Sequence, residues 1–147
     1  MKAIMGFSFF LLFLAGIALV LLQGREMARQ NLPGAASGIT GKEWRPAMLG
    51  VNPVPADSGM QVLFAVDGSI KGHGGCNGFF GTLEKTADGV TVGPLGATRM
   101  ACPEVIMNRE DAFMQALQST RQFALGEQRL QLLDADHRLL AELVSAN

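Results

Sequence analysis

Charge is scarce in this chain, and nowhere is it gathered. Of 147 residues, 12 are basic and 13 acidic, a formal net charge of −1. No basic cluster stands out, so the electrostatic footprint that nucleic acid requires is missing and that class of partner is excluded. Cysteine is limited to two residues, Cys76 and Cys102. Neither follows the apolar N-terminus, which closes the lipid-anchored route. No segment of 20 to 50 residues repeats, which sets aside solenoids and propellers.

What the chain does have is a long apolar start. Residues 3–22 carry no charge and are mostly Phe, Leu, Ile, Val and Ala, about the length that crosses a hydrocarbon core some 30 Å thick. The run continues through "ALVLLQGRE" without a small-x-small site beyond it. Residues 1–24 therefore read as an uncleaved signal-anchor helix, with a cleaved signal as the alternative. Lys2 before the span is matched by Arg25 and Arg29 after it, so the positive-inside rule barely speaks to orientation. Residues 25–41, including "NLPGAASGITG", read as a flexible linker, and 42–147 as one folded domain.

Within that domain the β signals come first. "EWRPAMLGV" supplies a strand bearing Trp44, with Pro46 placing it at an edge or a bulge, and "NPVPADSG" reads as a loop. "MQVLFAV" runs into Asp67-Gly68, a dipeptide suited to a tight hairpin. "SIKGHGG" returns, "FFGTLEKT" follows, and after the "ADG" turn "VTVGPLGATRMA" extends onward. The period then becomes helical: Pro103 and Glu104 suit a first turn, and Ile106, Phe113 and Leu117 mark the apolar stripe of a helix of about 16 residues. Two short strands, "RLQLLDA" and "RLLAEL", close the chain. The fold class is α+β: a small antiparallel sheet, curled or forming an incomplete barrel, with one amphipathic helix packed on it.

"HGGCNGFFG" is where chemistry could sit. In an exported domain, Cys76 and Cys102 form a disulfide by default, closing a loop that contributes roughly 3 kcal/mol. Reduced buried thiols are the plainer alternative. A sharper one is a thiolate nucleophile at Cys76, with His73 lowering its pKa, although no third residue orients the histidine. Another is a Cu(I) site from His73, Cys76, Met100, Cys102 and Met107, although the spacing matches no closed metal motif. A phosphate loop fails because the glycines lead into a strand and not a helix. Gly72, Gly74, Gly75, Gly78 and Gly81 then read as permitting bulges and sharp coiling. Of Phe79 and Phe80, only one can face the core. Asn77 is expected to bridge backbone groups of a tight turn, His137 to face solvent, and Glu110-Asp111 to lie on the outer helix face. No cofactor is called for.

These residues resemble a known family. "GGCNGFFG", then "VGPLGATRMAC", then a helix carrying "FMQAL" is similar to the META, or HslJ-like, domain. Its Cys-Asn-x-x-x-Gly stretch falls on Cys76, Asn77 and Gly81, and its Thr-x-Met-Ala-Cys stretch on Thr98, Met100, Ala101 and Cys102. The Phe-x-x-x-Leu helix ending falls on Phe113 and Leu117. The resemblance covers about residues 42–144. It implies a small β domain on one helix, found in bacterial envelope proteins associated with heat-shock and drug stress, with no established enzymatic activity. Leu83 departs from the aromatic residue often found two places after the motif glycine.

Together these readings describe a membrane-tethered, periplasm-facing, non-catalytic domain of the bacterial inner membrane, or one released to the periplasm after cleavage. It would support stress tolerance by binding an unknown envelope protein or an apolar ligand, the open edge or cleft of an incomplete barrel suiting strand addition or lipid-like binding. A thiol redox protein using Cys76, or a soft-metal binder, are the other classes.

Overall fold

The computed structural model describes residues 38–146; the expected signal-anchor lies outside the described residues. Among the described residues no helix is long and apolar enough to cross a membrane. The elements in chain order are β1 (Glu43–Leu49), β2 (Asn52–Pro53), β3 (Met60–Phe64), β4 (Ser69–Gly74), β5 (Gly78–Thr86), β6 (Gly89–Val92), β7 (Gly96–Ala97), α1 (Glu104–Ser119), β8 (Gln122–Leu125), β9 (Arg129–Leu133) and β10 (Leu139–Ser145).

Period-two patterning explains the strands. Met60, Val62 and Phe64 of β3 point inward, as do Ile70 of β4, Val90 and Val92 of β6, Leu130 and Leu132 of β9, and Ala141 and Leu143 of β10. Their polar neighbours face out, the arrangement expected of a sheet wetted on one side. The strands pair antiparallel in the order β6-β5-β4-β3-β1-β10-β9-β8. The sheet curls until its ends meet, where the Val90 N–H donates to the Arg121 carbonyl at 2.8 Å. The barrel is thus nearly closed, and more complete than the sequence pattern suggests. A Cβ on Gly89 would lie 2.2 Å from that carbonyl, so the two backbones are in contact at this point of the seam. Helix α1 packs on β1 and β10 as well as on β4, β6 and β9. Contacts on such separated strands put it across the barrel opening, with Phe113 and Leu117 fully buried.

Several local expectations are sharpened or corrected. Pro46 sits at a bulge: β1 is interior to the sheet, its register to β10 slips between Pro46 and Met48, and β3 pairs only with Glu43 and Trp44. A proline there spares the ladder a missing N–H. "NPVPADSG" contains the two-residue β2 paired with β1. The long run after "ADG" is broken: β6 and β7 lie on the same edge of β5, offset by one residue across residues 93–95, and the motif beyond Ala97 is irregular. Three strands close the chain, because β8 precedes the two expected ones.

The folded unit also begins earlier than residue 42. Ile39 is fully buried, its carbonyl accepts the Trp44 indole N–H at 2.9 Å, and Thr40 bridges Phe64. Residues 38–41 therefore belong to the domain and not to a tether.

Candidate functional site

The turn between β4 and β5 holds Cys76 and Asn77, and the structure builds a single polar node on it. Gly75 has φ of 104°, a conformation that glycine reaches without steric cost. The Gly74 N–H donates to the Asn77 carbonyl at 2.8 Å, closing the turn. Cys76 is bonded to Cys102 with an S–S distance of 2.02 Å and a Cα–Cα distance of 6.0 Å. This disulfide ties the turn to the residue two places ahead of α1.

Asn77 then does more than bridge a turn. Its side-chain Oδ1 accepts from the Met100 N–H at 2.6 Å and from the Thr98 hydroxyl at 2.9 Å. Its Nδ2 donates to the Met100 carbonyl at 3.4 Å and to Glu110 Oε1 at 2.7 Å. The amide thus clips the irregular Thr-x-Met-Ala-Cys segment to the sheet, using the backbone of Met100 and leaving its side chain 54% exposed.

Glu110 overturns the expectation for its helix face. Only 5% exposed, it accepts from the backbone N–H groups of Cys76 at 3.2 Å and Asn77 at 2.6 Å through Oε2, as well as from the Asn77 amide. Two backbone donors and an amide replace the water that burial removes, which is the condition for keeping a carboxylate inside. Asp111 remains exposed. The signal was present in the spacing: Ile106, Glu110, Phe113 and Leu117 follow one helical stripe, so a carboxylate occupies a core position. Gly74 is explained by the same group, because a Cβ there would meet the Glu110 side chain at 2.4 Å.

The remaining motif residues are brought to other places. Gly81 lies under the Leu95 side chain, 2.5 Å from where its own Cβ would stand. Phe113 packs edge-to-face on Phe79, ring centroids 5.9 Å apart. Leu117 is core, and Ala101 is exposed. Phe80 lies outward at 64% exposure, as the adjacency of two phenylalanines required. The ladders of β4 with β3 and with β5 keep regular register, so Gly72, Gly74 and Gly81 serve close approach and Gly75 a positive φ, and none marks a bulge. His73 Nδ1 accepts from the Gly75 N–H at 3.1 Å, a local turn contact, and His137 is exposed with φ of 60°. In this oxidised form neither sulfur is a thiolate, so neither the nucleophile nor the Cu(I) arrangement is assembled here.

A second region escaped the sequence patterns altogether. A groove of about 560 Å³ runs between α1 and the β1–β2 turn, lined by Leu49, Val54, Arg109 and Leu140 among others. It lies on the helix face next to the one that enters the barrel.

Among the described residues, two carboxyl groups in exposed hairpin turns are displaced from their ordinary pKa. The Ser69 N–H holds Asp67 below the usual carboxylate range. The Arg138 N–H, then that of Asp136 and the Arg138 charge, do the same for Asp134.

A nearly closed antiparallel barrel, crossed by one helix and stapled at the β4–β5 turn, defines the class of this protein. The META domain model matches residues 37–146, and the chain belongs to the META domain family. No curated protein sequence matches it. Among solved structures, an NMR structure of a protein from Burkholderia xenovorans is 21% identical with a TM-score of 0.62, covering 78% of this chain and 88% of that one. A second NMR structure is 20% identical with a TM-score of 0.59, covering 74% and 92%. The crystal structure of a DUF4847 family protein from Bacteroides vulgatus ATCC 8482 is 14% identical, with a TM-score of 0.52 and coverage of 72% and 93%. At these identities the likeness is one of fold.

Proposed function

We propose that this META domain is a non-catalytic binding module of the bacterial envelope, tethered to the inner membrane by residues 1–24 and facing the periplasm, where it supports tolerance of heat and envelope-active drugs. The observation that carries this reading is how the motif residues are used. Cys76, Asn77, Thr98, the Met100 backbone, Cys102 and Glu110 are bonded to one another. A motif so engaged holds a turn, a loop and a helix together, and leaves recognition to other surfaces. An oxidised cysteine pair suits an exported domain. With the barrel seam bridged at Val90 and Arg121, binding of a partner or apolar ligand falls to the groove beside α1.

The test is deletion of the gene followed by survival at raised temperature and under envelope-active drugs. We expect reduced survival, restored by the full-length chain but not by one that lacks residues 1–24 and has no other export signal. Unchanged survival of the deletion strain would overturn the stress role. Rapid alkylation of Cys76 in the unreduced native protein would turn the reading toward thiol chemistry.

A further inference from the structure

The groove beside α1 supports a narrower assignment, which rests on the binding role proposed above. Its floor is apolar, made by Leu49, Val54, Ala116 and Leu140, and its rim carries the amides of Asn52, Asn108 and Gln115. Arg109 supplies the one formal charge among the lining residues. Among the described residues no carboxylate forms an ion pair with its half-buried guanidinium. A guanidinium recognises a carboxylate through two parallel hydrogen bonds, and more strongly where water is partly excluded.

Size and shape decide what kind of molecule brings that carboxylate. The volume of about 560 Å³ lies inside the range of about 300–1,000 Å³ typical of ligand sites. The lining helix face runs from residue 105 to residue 119, about 21 Å at 1.5 Å per residue. That matches about six residues of extended chain at roughly 3.3 Å each. The groove is only partly enclosed, so an acyl chain lying in it would keep part of its surface in water and forfeit some of the apolar burial that drives its binding. An extended peptide has the complementary character: alternate side chains reach an apolar floor, and its backbone meets the amide rim. Arg109 stands about one helical turn from the residue-105 end, which places the carboxylate near one terminus of the segment.

We propose that the groove binds an extended, apolar segment of a partner protein, about six residues long, with a terminal-end carboxylate on Arg109. The test uses the full chain in immobilised lipid nanodiscs, with empty nanodiscs as blanks. Three pools of hexapeptides, N-acetylated and C-amidated so that the side chain alone carries charge, alternate Leu, Val, Ile or Phe with serine and end in aspartate, asparagine or lysine. The aspartate pool should be retained about tenfold better than the asparagine pool, the yield of one charge-assisted pair. Arg109→Gln should abolish that preference, and Arg109→Glu should transfer it to the lysine pool. Equal retention of the aspartate and asparagine pools, or retention of neither, would overturn the proposal. Release of the aspartate pool by dodecanoate would overturn it in favour of an acyl ligand. Failure here is separable from failure of the envelope role: if Arg109→Glu restores stress survival fully to the deletion strain, the role stands and the charge-selective groove falls.

Discussion

Two faces of one helix, separated by a single step in sequence, have opposite fates. Glu110 turns into the barrel and finds three N–H donors waiting. Arg109 lines the groove and, among the described residues, forms no ion pair with a carboxylate. The first face is spent on the fold, and its polarity serves as an internal clamp. The second keeps its hydrogen-bonding capacity for something else. Burial separates the scaffold role of Glu110 from the recognition role proposed for Arg109, whereas residue type does not.

The sharpest way to break the comparison is at Glu110. Glu110→Ala strands two backbone N–H groups and the Asn77 amide in a dry site and should cost about 3 kcal/mol or more, read as a drop in the denaturant midpoint at constant slope. Glu110→Gln is the finer probe. Its NH2 must face the Asn77 Nδ2 or the two backbone donors, and Asn77 cannot turn round without losing Thr98 and Met100. A loss comparable to that of alanine is therefore expected, whereas near-wild-type stability would mean that the clamp does not need the carboxylate.

Replacing both cysteines by alanine reopens a loop of 26 positions and should cost roughly 3 kcal/mol. Thermal melts with and without reductant check this, since the variant should match the reduced wild-type protein. On the groove side the expectation is reversed. Arg109→Gln should shift stability by no more than about 0.5 kcal/mol, as surface changes without a buried partner do; a larger loss would show that Arg109 is also part of the scaffold.

The smallest effect concerns the two turn carboxylates. Asp67 and Asp134 have lowered folded pKa values, so they stabilise the protein above the unfolded value of about 3.9. That contribution is lost as pH falls through the lowered folded values. Comparing wild type with Asp67→Asn and Asp134→Asn at pH 5 and pH 3 should show a slight narrowing of their difference at the lower pH.

Much of the barrel was legible because its signals are local. Asp67-Gly68 marked the β3–β4 hairpin, and Gly68 does take φ of 84°. Alternating Met60, Val62 and Phe64 announced a one-sided strand, and Pro103-Glu104 marked the start of a helix that spans Glu104–Ser119. Strand β8 was not legible: "QFAL" has no alternating burial and owes its conformation to pairing with β9. The stretch after Val92 looked continuous because its residues tolerate extension, and a one-residue offset against β5 leaves no compositional mark. Of the site, the motif residues could be named, but not their roles, since Met100 acts through its backbone and Glu110 through burial.

Periodicity and turn dipeptides were enough to determine the class of fold and the helix, because each depends on neighbours within a few positions, and the candidate bridge followed from there being two cysteines to pair. The identity of the clamp and the existence of the groove depended on the tertiary structure. Glu110 meets Cys76 and Asn77 across 34 and 33 positions, and the groove forms only where α1 comes to rest beside the β1–β2 turn. Desolvation is set by which distant segments close over a side chain, and no local pattern of residues records that.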